Sequence, residues 1–275
     1  MPLVGQRVML RALEERDLGP IGDVYQDFDL QLTTDGDAPP LSDRQVHDFW
    51  AQRIVDPAPT MRYFAIEPLE GNPGAGQFAG MCNLHDIDMR NRHAELGVWL
   101  ASGGLRGQGY GADAIRALLP YAFEVVRLEK VYLGVYDFNE AGLRCYERIG
   151  FRYEGCLRRQ IYYQGRYWDE WPMRMLDSEW KLIQNPPAEG LRPYHPADLT
   201  AALDLIRCER GLQEVEAARA LLRRWWRRID YQVLSLQREG EVIALLAAPV
   251  DGDDRPLGEI VVSADARALI AETVR

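Results

Sequence analysis

The chain is poor in the residues that build metal and disulfide sites. Its 275 residues hold four cysteines (Cys82, Cys145, Cys156, Cys208) and four histidines (His47, His85, His93, His195), with no C-x-x-C pair and no H-x₃-H. No zinc framework has that spacing, so no metal is expected, and scattered cysteines fit reduced residues of a cytoplasmic protein. No apolar run approaches the roughly 20 residues that span a bilayer. The opening MPLVGQRVMLR also lacks the apolar core of a secretory leader. The cytoplasm is therefore the expected location, with no membrane partner. Positive charge is in deficit as well: 32 Lys and Arg face 42 Asp and Glu, a formal net charge of −10. That balance argues against nucleic acid as the main partner and favours cationic ones.

What is present is globular material, 47% hydrophobic and 27% charged, enough for one large domain or two modest ones. A strand is expected at Val8–Arg11, then a helix capped by Asp17 with Ile21, Val24 and Tyr25 on one face. A polar loop, DLQLTTDGDAPPLS, leads to a second helix that starts at Ser42, with Gln45 completing a capping box. RYFAIEP and GQFAGMCNLHDI read as a hairpin, HAELGVWLAS as a further strand. The helix GADAIRALLPYAFEVV follows and should bend or lose a hydrogen bond at Pro120. A strand KVYLGVYDFN, a short helix stopped by Gly150 and two closing strands around Gly165 complete an α/β layout with a mixed, mostly antiparallel sheet. The expected division is a first domain over 1–183, a linker QNPPAEG at 184–190 and a C-terminal module over 191–275.

Residues 105–114, LRGQGYGADA, place three glycines in five positions at the mouth of a helix. They formally fit the dinucleotide pattern G-x-G-x-x-G/A, but that motif belongs to an early β-α-β unit, and three strands and two helices precede this one. A P-loop is excluded because no Gly-Lys-Ser/Thr follows. The third reading takes in Arg106. Gly109 and Gly111 would let successive backbone amides converge on a pyrophosphate at the positive end of the helix, with Arg106 as a charged donor.

Together with HAELGVWL and with NEAGLRCYERIGF, whose spacing is N-x₆-Y-x₃-G-F, this turn resembles the GNAT superfamily of acyl-CoA-dependent N-acetyltransferases. The closing YYQGRYWDEWPMRMLDSEW is similar to the branch of ribosomal-protein N-terminal and small-amine acetyltransferases. The resemblance spans about residues 1–182 and implies a GNAT-like sheet and acetyl-CoA as co-substrate. It implies that the backbone of Trp99, Leu100 and Ala101 pairs with the pantetheine arm. The amides of Arg106, Gly107, Gln108, Gly109, Tyr110, Gly111 and Ala112 are implied to hold the pyrophosphate. Asn139 is implied to meet the cofactor where two central strands splay; its local alternative is a helix cap. Tyr146 stands where an acid protonates the departing thiolate; the alternative is a buried aromatic. Ala141 and Gly142 occupy the region where ribosomal-type relatives carry a serine, which leaves no serine proton relay.

Acetyl transfer needs a neutral amine, a polarised thioester and a protonated leaving group. Holding the partners in attack geometry supplies roughly 7–11 kcal/mol of the barrier, and a placed acid or base adds about 10²–10⁴-fold. Glu95 is the candidate base, acting through a water, with His93 a weaker one on the same face and a surface carboxylate as the alternative reading. Backbone N–H groups near Trp99 or Leu100 are candidate oxyanion donors. The loop between the first two helices carries Asp27, Asp29, Asp35 and Asp37 without Lys or Arg between them. These are candidate contacts for a cationic amine or a protein N-terminus; the alternative is a solvated acidic loop. Trp50, Tyr63, Tyr162, Tyr163 and Trp168 are candidate aromatic walls or core. A non-catalytic acyl-CoA sensor on the same fold is the rival reading.

In the module, Leu191, Arg192, Asp198, Leu199 and Asp204 repeat Leu10, Arg11, Asp17, Leu18 and Asp23 at one offset (191 − 10 = 181). Either it is a partial duplication lacking the glycine turn, or it is an unrelated small α/β appendage. The run LLRRWWRR at 221–228 fits self-association as a homodimer or docking on the first domain, and equally a helix covering its own core.

Overall fold

The computed structural model describes residues 2–27, 30–31, 41–101, 103–185, 190–194, 196–228, 231–238, 241–249, 258–263 and 266. Among them, no helix is long and apolar enough to cross a membrane. Two compact units emerge: residues 1–145 with 158–170, and residues 146–157 with 171–275.

The first unit opens with β1 (Leu3–Val4), β2 (Val8–Arg11), α1 (Leu18–Tyr25) and α2 (Asp43–Val55). It continues with β3 (Arg62–Pro68), β4 (Gly80–Asp88), β5 (His93–Leu100), α3 (Tyr110–Pro120) and β6 (Lys130–Tyr136). Helix α4 (Glu140–Ile149) begins in this unit and ends in the second. The strands lie in the order β1-β2-β3-β4-β5-β6; the ladders from β1 to β5 are antiparallel and β5–β6 is parallel. One face of this sheet packs Ala65 and Met81 against Leu18, Ile21, Val46 and Trp50 of the first two helices. The capping box at Ser42 forms as the sequence implies: Ser42 Oγ accepts the Gln45 amide while Gln45 Oε1 accepts the Ser42 amide. Pro120 acts as its missing N–H requires. The α-helical ladder stops there and a π turn, Tyr121–Val125, carries the chain on.

Asp17 departs from expectation. Its side chain makes no cap bond to α1, because a 3₁₀ turn, Glu15–Asp17, precedes the helix and draws Asp17 inside. There it accepts the Glu14 amide and a two-pronged bond from Arg11 at 2.7 and 2.8 Å, which lets a carboxylate sit buried. Strand β4 starts only at Gly80, where backbone approach sets the boundary: a Cβ there would stand 2.1 Å from the Trp99 carbonyl oxygen.

Strands β7 (Arg152–Tyr153), β8 (Leu157–Tyr163) and β9 (Arg166–Leu176) follow α4. In the first unit β8 pairs with β9 and β9 lies beside β6; in the second, β7 pairs with the end of β9. The second unit then holds α5 (Asp177–Gln184), β10 (Gly190–Pro193), α6 (Leu199–Arg210) and α7 (Val215–Trp226). It closes with β11 (Tyr231–Arg238), β12 (Glu241–Pro249) and β13 (Gly258–Val262). Strands β10 to β13 form an antiparallel sheet in sequence order, over which Leu203, Ile206 and Leu222 pack on Val233 and Leu245. In the first unit β2, a 3₁₀ turn, α1, α2 and β3 to β5 also come in that order, and the two 3₁₀ turns end at Asp17 and Asp198 (198 − 17 = 181).

Candidate active site

The parallel ladder between β5 and β6 holds three residue pairs, His93–Lys130, Ala94–Val131 and Glu95–Tyr132. Both strands run on, to Leu100 and Tyr136, while β5 stays paired to β4 as far as Leu100–Gly80. The two strands therefore part just after Glu95. Direction along β5 follows from one bond: Ala101 N–H donates to Ala79 O at 2.8 Å. Residues alternate in the edge their backbone groups face, so Trp99 and Ala101 face β4 while Val98 and Leu100 face the side where β6 has left. Of the three backbone positions expected to pair with an extended ligand, Leu100 has its amide and carbonyl on the open edge, and Val98 joins it. The sequence alone held no sign of that parity.

The glycine turn lies beyond this edge. Gly107 and Gly109 take φ of +78° and +82°, the left-handed region in which side chains are strained, and a Cβ on either would meet nothing within 4 Å. Gly109 heads α3 without any side-chain cap. The amides of Tyr110, Gly111 and Ala112 thus open the helix with no acceptor inside it, at the positive end of its dipole. The Tyr110 ring is fully buried and its hydroxyl donates to Pro73 O at 2.8 Å, so only its backbone can serve a ligand. Arg106 reaches Asp27, Nη2 to Oδ2 at 3.3 Å. Asp29, Asp35 and Asp37 lie outside the described residues.

The turn is buttressed from the N-terminal strand, a support the sequence did not announce. The Asp113 carboxylate accepts backbone N–H groups from Gln6 (3.1 Å), Arg7 (2.7 Å) and Val8 (2.9 Å), and Arg7 Nη1 donates to Gln108 O at 2.8 Å.

Glu95 projects from β5 opposite the buried Ala94 and Leu96, on the face where His85 pairs with it across β4. Ligand atoms of His85, Asp86 and Glu95 lie within 4.8 Å of one another. Burial pushes the Glu95 carboxyl above its ordinary value; His85 opposes the shift and Asp86 adds to it. Glu170, from β9, is pushed up too, first by burial and then by Glu95. It lies across Gly134 of β6, where a Cβ would stand 2.0 Å from its Oε1. Two half-buried carboxyls, each raised first by burial, flank the point where the strands part. His93 sits by Tyr132, ring centroids 5.7 Å apart, and its Nε2 is 4.0 Å from Asp88. Beside them Phe138 contacts Tyr163 (4.7 Å), Trp168 (5.4 Å) and Tyr136 (5.5 Å). Glu170, Tyr136 and Phe138 escaped sequence reasoning. A cavity of about 600 Å³ also opens among Leu10, Leu13, Ile54, Met61, Tyr63 and Tyr121, but it includes neither the open edge of β5 nor the glycine turn.

Asn139 caps α4: its Oδ1 accepts the Gly142 amide at 2.9 Å. Gly142 leaves room for that cap: a Cβ there would lie 2.8 Å from Asn139 Nδ2. Tyr146, described within the second unit, packs its ring edge-on to Phe151 at 5.9 Å.

Residues 7–152 match the acetyltransferase (GNAT) domain family. Over 106 residues the chain is 38% identical to YdaF of Bacillus subtilis (strain 168), provisionally named a ribosomal N-acetyltransferase; the match covers 38% of this chain and 57% of that one. It is 28% identical to the spermidine N(1)-acetyltransferase of Vibrio cholerae serotype O1 over 177 residues, 64% of this chain and 97% of the relative. The crystal structure of the Vibrio cholerae spermidine N-acetyltransferase with CoA and spermine superposes with a TM-score of 0.56 at 28% identity, covering 63% of this chain and 98% of that one.

Proposed function

We propose, from the premise that the chain belongs to the GNAT acetyltransferase family, that it transfers the acetyl group of acetyl-CoA to a primary amine of a small polycation. The observation that carries the acceptor class is the Glu95–Glu170 pair. Two carboxyls disfavoured as anions by burial, Glu95 further by Asp86 and Glu170 further by Glu95, gain most from a cation placed beside them. That the Vibrio cholerae relatives are named for spermidine supports the same class.

Bound acetyl-CoA supplies a thioester activated for acyl transfer. The residues present fit it: an uncapped helix start with open space over Gly107 and Gly109, and an exposed strand edge at Val98 and Leu100. The amides of Gly107 to Ala112, with Arg106, hold its pyrophosphate. The Leu100 or Val98 amide polarises the carbonyl oxygen. Glu95 takes a proton from the incoming ammonium through a water, and Glu170 holds a second cationic centre of the acceptor. Tyr146 donates its phenolic proton to the leaving sulfur. Asn139 acts by capping α4, and its contact with cofactor belongs to the same reading. Asp27 serves the acceptor side once Arg106 turns to phosphate. No metal has a step in this scheme. None of the four cysteines is in a disulfide, which supports the cytoplasm as its compartment.

The test is thiol release from acetyl-CoA across polyamines, aminoglycosides, amino acids and short peptides with free N-termini, with light scattering to read whether the chain works as a homodimer. Release with polyamines alone is the expected result. Release with peptides alone moves the acceptor to protein N-termini. Silence across the panel, with acetyl-CoA still binding in a titration, returns the chain to the sensor reading.

A further inference from the structure

The run LLRRWWRR takes no part in the site described above. In the second unit it starts on α7 and runs past its end, and Arg219, Arg223 and Arg227 follow one another at a spacing of four. Arg223 grips Glu147 of α4 with two bonds, Nε to Oε1 at 2.6 Å and Nη2 to Oε2 at 3.2 Å. The Tyr153 hydroxyl donates to the same Oε1 at 2.8 Å, and Arg219 Nη1 stands 4.0 Å from Oε2. Arg227 lies 3.8 Å over the Trp171 ring. The Glu147 side chain is 1% exposed. A carboxylate that deep is tolerated only when paired, and its charged partners come from beyond the 184–190 linker.

A second contact lies one turn on. Gly150, which ends α4 at φ +110°, is so closely covered that a Cβ would stand 2.5 Å from Ile183 Cδ1 and 2.9 Å from Pro196 Cγ. The module therefore reaches the last turn of α4 at two points, through charge at Glu147 and, with Pro196 beside Ile183 of α5, through packing at Gly150. Tyr146 precedes Glu147 in that turn.

We infer that the C-terminal module is a clamp on α4, and that Glu147 is the positioning residue through which Arg223 and Arg219 keep Tyr146 in place. The inference rests on the reading of Tyr146 as the proton donor, and the test separates the two. Thiol release from acetyl-CoA with spermidine as acceptor is measured for the parent, Arg223→Met, Arg223→Lys, Tyr146→Phe and the double variant Arg223→Met/Tyr146→Phe. Arg223→Met is expected to lower kcat about 10²-fold, the effect of displacing a catalytic group by about an ångström, with the KM for acetyl-CoA unchanged. Arg223→Lys should recover most of the turnover. The double variant should be no slower than Tyr146→Phe, because both changes remove one function. Multiplying effects, an unchanged kcat, or a change in KM alone would overturn the clamp. If Tyr146→Phe is fully active the donor role falls, and the clamp is then judged by amide hydrogen exchange. Arg223→Met should speed exchange across 140–149 and leave 110–120 unaltered; equal rates in α4 overturn it. Arg223→Lys carries the same comparisons if Arg223→Met does not fold.

Discussion

Removing the Asp113 carboxylate tests the buttress under the glycine turn. In Asp113→Ala three backbone donors lose their acceptor, those of Gln6, Arg7 and Val8. The Val8 bond is buried, so orphaning that donor costs about 1–3 kcal/mol; the other two are partly exposed, where water limits the loss to about 0.5–1.5 kcal/mol each. The expected sum is about 4 kcal/mol, a fall in melting temperature of roughly 10 °C for a protein of this size. Gly5 gains nothing in return, because it is glycine to admit this carboxylate: a Cβ there would lie 2.4 Å from Asp113 Oδ2. Asp113→Asn, which keeps one acceptor oxygen, should lose about half as much. Urea unfolding gives the stability, and titration with acetyl-CoA should show weaker binding in both variants. A loss below about 1 kcal/mol with acetyl-CoA affinity intact would refute the buttress.

Gly109→Val forces a branched side chain to a positive φ, at about 1–2 kcal/mol, and places its methyls where the pyrophosphate must approach; acetyl-CoA affinity by calorimetry should drop more than tenfold, and an unchanged affinity would remove the turn from the site. Glu95→Gln should lower kcat/KM about 10²-fold. Its pH profile should also lose the acid limb, which in the parent rises with pH through a carboxyl that burial holds above its ordinary value. The stability sign is opposite: a carboxyl whose folded pKa is raised binds its proton more tightly when folded, so it destabilises progressively as pH climbs from the unfolded value through the folded one. Glu95→Gln should therefore be the more stable protein at neutral pH, and a less stable variant would contradict the burial assigned to Glu95. Asp27→Asn releases Arg106 from an exposed pair, so acetyl-CoA should bind about two- to threefold tighter while spermidine KM rises; no change in either assigns Asp27 to solvent.

Periodicity and punctuation carried the reading of the first unit well. Ser42 with Gln45, the arrest at Pro120 and the left-handed Gly109 are local signals, written in adjacent residues, whereas the second left-handed position is Gly107 and not the expected Gly111. Asp17 misled because a 3₁₀ turn and an α-helix share the same opening residues; only the partner, Arg11, decides where the carboxylate goes. What stayed hidden is long-range. Glu170 reaches Glu95 through two separate strands, and Asp113 binds backbone amides about a hundred positions away, which no side-chain pattern encodes. The parity that puts Leu100 rather than Trp99 on the open edge rests on a single hydrogen bond. Tryptophans and arginines in LLRRWWRR were visible as an interface composition, but not the acid that Arg223 grips.

That enclosed acid changes how the chain can evolve. An appended segment that merely covers a surface can be shed again at little cost. Where a glutamate on α4 depends on arginines of α7, deletion of the segment that carries them strands a charge in a place built to be dry, and its loss requires at least two coordinated substitutions. Glu147 marks the point of entrenchment. Descendants of this chain are expected to vary the module's outer surface freely and to keep Glu147 and Arg223 as a pair, or lose both together.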